Sequence, residues 1–205
     1  GYAGTLNKDQ RTYVNKAYAS NERQLTTINQ MLFVARSDAG KIKLTIRKIN
    51  LADLIKDILD EQKTVIKEKK HKLKSEFPDH TCDIFGDEQY LRMALENVIN
   101  NAIKYTEPGG KIFVSLELAG NNLKIIVKDS GVGVNQDDLP LLFQKFSRIP
   151  NDLTSKVSGS GIGLYLTKSI INAHNGTVTF ESEANSGSTL TITLPSEMPK
   201  GSGYL

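Results

Sequence analysis

Tryptophan is absent and cysteine occurs once, at Cys82, in a chain of 205 residues. A lone thiol excludes an internal disulfide and a cysteine-based metal cluster, and it suits a reducing cytosol. Long hydrophobic runs are missing too. Nothing approaches the roughly 18 consecutive apolar residues of a membrane span, and no charged-then-apolar leader opens the sequence. The expected location is cytoplasmic, with any membrane attachment confined to segments outside these residues. A strong charge of either sign is also lacking. The net charge of +3 is too small to imply nucleic-acid binding, and no interleaving of basic and aromatic residues suggests base stacking. The charge is unevenly spread, with 16 Lys/Arg against 8 Asp/Glu in residues 1–75 and 10 against 15 thereafter. The basic run Lys67–Lys74 reads most simply as a solvated helix end and edge strand. Hydrophobic residues make up 39% and charged residues 24%, a balance that supplies a core and excludes disorder over most of the length.

From Asn7 to about Ala39 the pattern is helical. Val14, Tyr18, Asn21, Leu25, Ile28, Leu32 and Ala35 step by alternating fours and threes, a seven-residue repeat with one polar break at Asn21. Such a stripe wants another helix, and nothing else in the chain repeats at that period. After a stop at Ser37–Gly40, the alternation through Ile42, Leu44 and Ile46 predicts a strand over Lys41–Ile49. Asn50 is placed to cap a helix carrying Leu51, Leu54, Ile55, Ile58 and Leu59. Short strands are expected near Lys72–Phe77 and Thr81–Phe85, then a helix over 88–105 capped by Asp87. A hairpin follows, Lys111–Leu118 with Asn122–Asp129, turning at Gly120-Asn121. A short helix near Asp138–Phe146, a polar loop from Ser147 to Ser160, a helix over Gly161–Ala173 and strands over Thr177–Glu183 and Ser188–Leu194 complete the core. The irregular alternation and the antiparallel final strands predict a two-layer α/β sandwich with a mixed sheet, preceded by a long N-terminal helix.

Four segments carry candidate chemistry. On the 88–105 helix, Asn97, Asn101 and Lys104 share a polar stripe. An asparagine carbonyl oxygen suits Mg²⁺ and a lysine can neutralise phosphate, although exposed asparagines on a helix are equally a solvated face. Asp129-Ser130-Gly131-Val132-Gly133 ends an apolar strand. Its carboxylate could accept from an exocyclic amine, and its glycines let the backbone approach a ligand closely. Gly159-Ser160-Gly161-Ile162-Gly163-Leu164 precedes a helix, whose N–H groups and dipole favour phosphate. Its spacing fits neither a dinucleotide fingerprint nor a Walker loop. In Leu142–Arg148, Phe143 and Phe146 can anchor a loop, and Arg148 could reach a phosphate.

Taken in order, these segments resemble the N, G1, F and G2 boxes of the catalytic ATP-binding domain of sensor histidine kinases, within the wider gyrase, Hsp90, histidine kinase and MutL family. Glu96–Thr106 resembles the N box, Asp129–Gly133 the G1 box, Leu142–Arg148 the F box and Gly159–Leu164 the G2 box. Ser186–Thr189 with Leu190–Pro195 resembles the last glycine box and strand. The resemblance covers about residues 45–195, and residues 7–40 resemble the second helix of the dimerisation and phosphotransfer hairpin. It implies a Bergerat-type fold over residues 41–198, a partial hairpin over 1–40 and a flexible tail over 199–205. It further implies that Asn101 coordinates Mg²⁺, that Asn97 and Lys104 support the triphosphate of ATP, and that Asn97 or Glu96 assists transfer. Tyr105 would flank the adenine and Asp129 would hold its amine, with Gly131 and Gly133 admitting the ring. Residues 147–160 would form the ATP lid. Arg148 would serve transfer, Gly159, Gly161, Gly163 and Leu164 would lie by the phosphates, and Thr189 near the adenine.

Kinases of this family phosphorylate a histidine in a His–Glu/Asp–x–x–x–Pro setting, which none of His71, His80 and His174 matches. The acceptor is therefore expected upstream of residue 1, leaving a fragment that binds ATP without phosphorylating itself. The expected partners are a response regulator and, for the parent, a second copy through a four-helix bundle. The alternatives are a non-enzymatic nucleotide-sensing scaffold, or an ATPase or serine-directed kinase on the same fold.

Overall fold

The computed structural model describes residues 4–150 and 159–196. The 199–205 tail and most of the 147–160 loop lie outside the described residues. The chain divides into two compact units, Gly1–Lys41 and Ile42–Leu205.

The first unit is one helix, α1 (Lys8–Asp38). Asn7 and Gln10 form a reciprocal capping box, with Asn7 Oδ1 accepting from the Gln10 N–H at 2.8 Å and Gln10 Oε1 from the Asn7 N–H at 3.0 Å. The stripe predicted to seek a partner is exposed at Val14, Tyr18, Leu25, Ile28 and Leu32, with Tyr18 67% accessible.

The second unit begins with β1 (Arg47–Asn50) and continues through α2 (Leu51–Glu61), α3 (Lys63–Glu68), β2 (Lys72–Glu76), β3 (Asp83–Gly86) and α4 (Glu88–Tyr105). The hairpin β4 (Lys111–Ala119) and β5 (Asn122–Asp129) follows, then α5 (Gly163–Ala173), β6 (Thr177–Glu183) and β7 (Gly187–Pro195). Five strands form a mixed sheet in the order β2-β4-β5-β7-β6, and β1 pairs with β3 in a separate ribbon. Only the β2–β4 pair is parallel within the large sheet. The two-layer α/β sandwich with a mixed sheet is as expected. Strand parity explains it: Ile112, Val114 and Leu116, Leu123, Ile125 and Val127, and Leu190, Ile192 and Leu194 all bury one sheet face. Against that layer lie Leu91, Leu95 and Ile99 of α4 and Leu166 and Ile170 of α5, all essentially inaccessible. Each such side chain contributes about 1.5–3 kcal/mol.

Three expected elements differ. The strand expected over Lys41–Ile49 is regular only from Arg47, because β3 offers four residues to pair with. Ile42, Leu44 and Ile46 are more buried than their neighbours, so the alternation there reports a half-covered extended chain without a ladder. The helix expected near Asp138–Phe146 is a 3-10 turn over Gln136–Leu141, since Pro140 has no N–H for an α-helical bond. The last helix starts at Gly163 because Gly161, at φ +70°, lies outside helical space. Lys63–Glu68, unassigned from the sequence, is a short helix following α2.

Candidate functional site

α4 carries most of the predicted site. Asp87 caps it, its Oδ1 accepting from the Tyr90 N–H at 3.2 Å, while seven apolar residues between Leu91 and Ile103 bury the opposite face. This leaves Asn97, Asn101, Lys104 and Tyr105 partly accessible along one side. Gly159 and Gly163 come to this side. A side chain at Gly163 would stand 3.3 Å from Asn97 Oδ1, and one at Gly159 would stand 3.1 Å from Lys104 Nζ. Asn97 Nδ2 is buried and has no hydrogen-bond partner among the described residues. A buried donor left unpaired is costly in a closed interior. Leu164 sits in the first turn of α5 beside this cradle.

Burial lowers the Lys104 pKa, aided by the charges of Arg148 and Lys69. Burial raises that of Tyr105, with Arg148 opposing. Arg148 is itself exposed but acts on both groups. Three cations converging at one end of α4 make an anion-attracting site.

Glu96 is engaged elsewhere. It lies 3.5 Å from Arg92 Nη1, which also reaches Glu61 of α2 at 3.1 Å. Burial raises its pKa, partly offset by Arg92. Successive helix residues are about 100° apart, so this ion network and the Asn97 stripe occupy different aspects of α4.

At the sheet, Asp129 ends β5 between β4 and β7. Burial pushes its carboxyl up to about 6, while N–H groups of Gly131 and Ser188 hold it down. The Gly131 N–H donates to Oδ1 at 2.8 Å. Gly131 must be glycine, because any Cβ would run into the Tyr105 carbonyl and Asp129 Oδ1. Gly133, at φ +62°, lies against the Glu183 carbonyl. Gly161 packs on the Phe146–Ser147 backbone, where any Cβ would run into it.

Thr189 is placed differently from expectation. It pairs with Lys128, whereas Ser188 pairs with Asp129. With Leu190 and Ile192 directed into the core, Ser188 shares the face of Asp129 and Thr189 lies on the other. Strand parity, already legible in Leu190, Ile192 and Leu194, carries this one-residue difference. Sequence reasoning also missed Ser182. Its hydroxyl donates to the Gly187 carbonyl at 2.8 Å and accepts from the Val134 N–H at 2.9 Å. It thereby ties the G1 loop to the start of β7. No cluster of three His, Cys, Asp or Glu side chains poised to hold a metal occurs among the described residues, and none of their helices is long and apolar enough to cross a membrane.

Comparison with known proteins gives the site a context. The sequence profile of the family described as histidine kinase-, DNA gyrase B-, and HSP90-like ATPase matches residues 86–198. An uncharacterized sensor-like histidine kinase of Rhizobium meliloti (strain 1021) is 34% identical over 197 residues, covering 96% of this chain and 38% of the relative. Sensor histidine kinase CusS of Escherichia coli (strain K12) is 34% identical over 180 residues, covering 86% of this chain and 37% of the relative. The chain thus spans well under half the length of these curated relatives. Among solved structures, full-length ShkA in complex with AMPPNP superposes with a TM-score of 0.78 at 25% identity, covering 94% of this chain and 40% of that one. The catalytic domain of histidine kinase ThkA superposes at 0.65 with 22% identity, covering 74% of this chain and 97% of that one.

Proposed function

From the premise that the chain belongs to the histidine kinase-, DNA gyrase B-, and HSP90-like ATPase family, as a sensor histidine kinase ATP-binding domain, we propose that it binds Mg·ATP and presents the γ-phosphoryl to a histidine. A response regulator then takes the phosphoryl from that histidine. The observation that carries this reading is the unpaired Asn97 amide beside Gly163, with Lys104 at Gly159, on the helix whose end meets the Asp129 loop.

The ionised Asp129 carboxylate accepts from the adenine amine, and Gly131 lets the base approach its oxygen. Tyr105 flanks the ring. Lys104 and Arg148 attract and orient the phosphates, and Asn97 donates its free Nδ2–H to a phosphate oxygen. Asn101 supplies a neutral amide oxygen of the kind Mg²⁺ accepts alongside waters and phosphates. Magnesium, when bound, neutralises charge on the triphosphate. The residues thus act by positioning and electrostatics, the main resources in phosphoryl transfer. The accepting imidazole is none of the three in this sequence. His71 and His174 are buried with ring nitrogens on backbone groups, and His80 lies outside any His–Glu/Asp–x–x–x–Pro setting. Dimerisation of the whole protein would use the exposed apolar stripe of α1.

Titration calorimetry with ATP, with and without Mg²⁺, tests the reading. Wild type should bind, Asp129→Asn should bind at least tenfold more weakly, about the value of one charge-assisted hydrogen bond, and Asn101→Ala should lose the Mg²⁺ dependence. A folded wild type that binds no ATP at millimolar concentration would overturn it.

A further inference from the structure

The basic run Lys67–Lys74 is not wholly solvated. α3 ends with Lys70 at φ +56°, and the His71 N–H donates back to the Ile66 carbonyl at 2.9 Å. This left-handed stop is one that glycine usually makes, and a side chain there carries a conformational cost. It turns two neighbours inward onto one atom. Lys69 Nζ donates to the Ile103 carbonyl at 2.8 Å, and His71 Nε2 lies 3.1 Å from the same oxygen. A carbonyl only accepts, so Nε2 donates. Nδ1 is buried and unpartnered among the described residues. An apolar side chain would fill the space without that penalty, so packing does not explain a histidine here. Ile103 lies one residue before Lys104. The last carbonyls of a helix have no partners within it. In α4, Thr106 Oγ1 donates to the Ala102 carbonyl at 2.6 Å, the Ile103 carbonyl takes Lys69 and His71, and the Val132 N–H donates to the Tyr105 carbonyl at 3.2 Å. The Gly109 N–H, donating to the Lys69 carbonyl at 2.9 Å, binds the following turn to the same segment.

We propose that Lys69 and His71 are positioning residues for the nucleotide: by gripping the Ile103 carbonyl they fix the last turn of α4, and with it the Lys104 ammonium and the Tyr105 ring. The proposal rests on the nucleotide reading of this site, but its physical part can be tested without ligand. Hydrogen exchange of the Lys104–Glu107 amides in the ligand-free full chain should quicken in Lys69→Met and His71→Leu. It should stay at the wild-type rate in Lys69→Arg and His71→Gln, which retain a donor. ATP titration should then show affinity about five- to tenfold weaker in Lys69→Met and His71→Leu, a scale set by one hydrogen bond, with recovery in the two conservative variants. In a Lys104→Met background the Lys69→Met effect should shrink, because part of it passes through the position of Lys104, the rest passing through Tyr105 and the charge of Lys69 itself. Unchanged exchange, unchanged affinity, or full additivity with Lys104→Met would each overturn the proposal. Absence of ATP binding by wild type would instead remove the nucleotide reading and leave the exchange result to judge the clamp.

Discussion

At its N-terminus α4 is closed upon its own fold. The Asp87 N–H donates to His174 Nε2 at 2.9 Å, His174 Nδ1–H donates to the Ile170 carbonyl at 2.8 Å, and Asp87 Oδ2 accepts from the Thr45 N–H at 2.8 Å. Both ring nitrogens of His174 are used, and a side chain at Gly86 would stand 3.0 Å from the ring. From its middle onward one side of the same helix carries the Asn97 amide, whose Nδ2 has no partner among the described residues, and toward its C-terminal end it meets converging cations and a carboxylate whose ionised form is penalised by burial. One helix thus has a start whose polar groups are paired within the fold and, from Asn97 onward, a side carrying a buried amide with no partner among the described residues, although the carbonyls of its last turn are taken up. Active sites are where such local costs are tolerated.

The largest test of this contrast is Asp129→Asn. Nucleotide affinity should fall about 10- to 100-fold by calorimetry. The ligand-free variant should melt higher at pH 7.5, because it no longer buries an ionised carboxylate. A shift from 3.8 to about 6 corresponds to up to roughly 3 kcal/mol. His174→Leu should do the reverse. It leaves the Asp87 N–H buried and unpaired, costing about 1–3 kcal/mol in urea unfolding, while ATP affinity measured well below the melting point stays unchanged.

pH sharpens the comparison because the two ends slope oppositely. The Asp129 pKa is raised on folding, so its contribution is fully present below about 3.8 and is lost as pH rises through about 6. The His174 pKa is lowered, first by burial. Its contribution is present above the ordinary histidine value of 6.5 and is lost as pH falls through the folded value. Stability curves of Asp129→Asn should therefore climb more steeply between pH 4 and 6.5 than wild type, and those of His174→Leu less steeply. ATP affinity of wild type should weaken below about pH 6, as Asp129 takes up a proton. The smallest effect is expected of Gly163→Ala. Its new methyl would meet Asn97 Oδ1 at 3.3 Å, costing a few-fold in affinity, about 1 kcal/mol or less, with melting nearly unchanged.

Much of this was legible in the residues. Asp87 followed by Leu91, Leu95 and Ile99 announces α4 to within a residue, since cap and periodicity agree. Alternation likewise delivers β4, β5 and β7 and puts Asp129 at a strand end. Motif likeness pointed to Thr189, whereas parity puts Ser188 in register with Asp129. Ile42, Leu44 and Ile46 misled because alternation records which side of an extended chain is covered and says nothing about a hydrogen-bonding neighbour. The grip of Lys69 and His71 on Ile103 had no sequence signal, because its acceptor is a backbone carbonyl 34 and 32 residues away.

The most direct test of the divided helix is an amide NMR titration of the full chain with Mg·ATP. Shifts concentrated at Asn97–Thr106, Asp129–Gly133 and Gly159–Leu164, with Asp87–Leu91 and His174 unmoved, are the predicted result. Shifts centred on Asp87–Leu91, or none at saturating nucleotide, would contradict it.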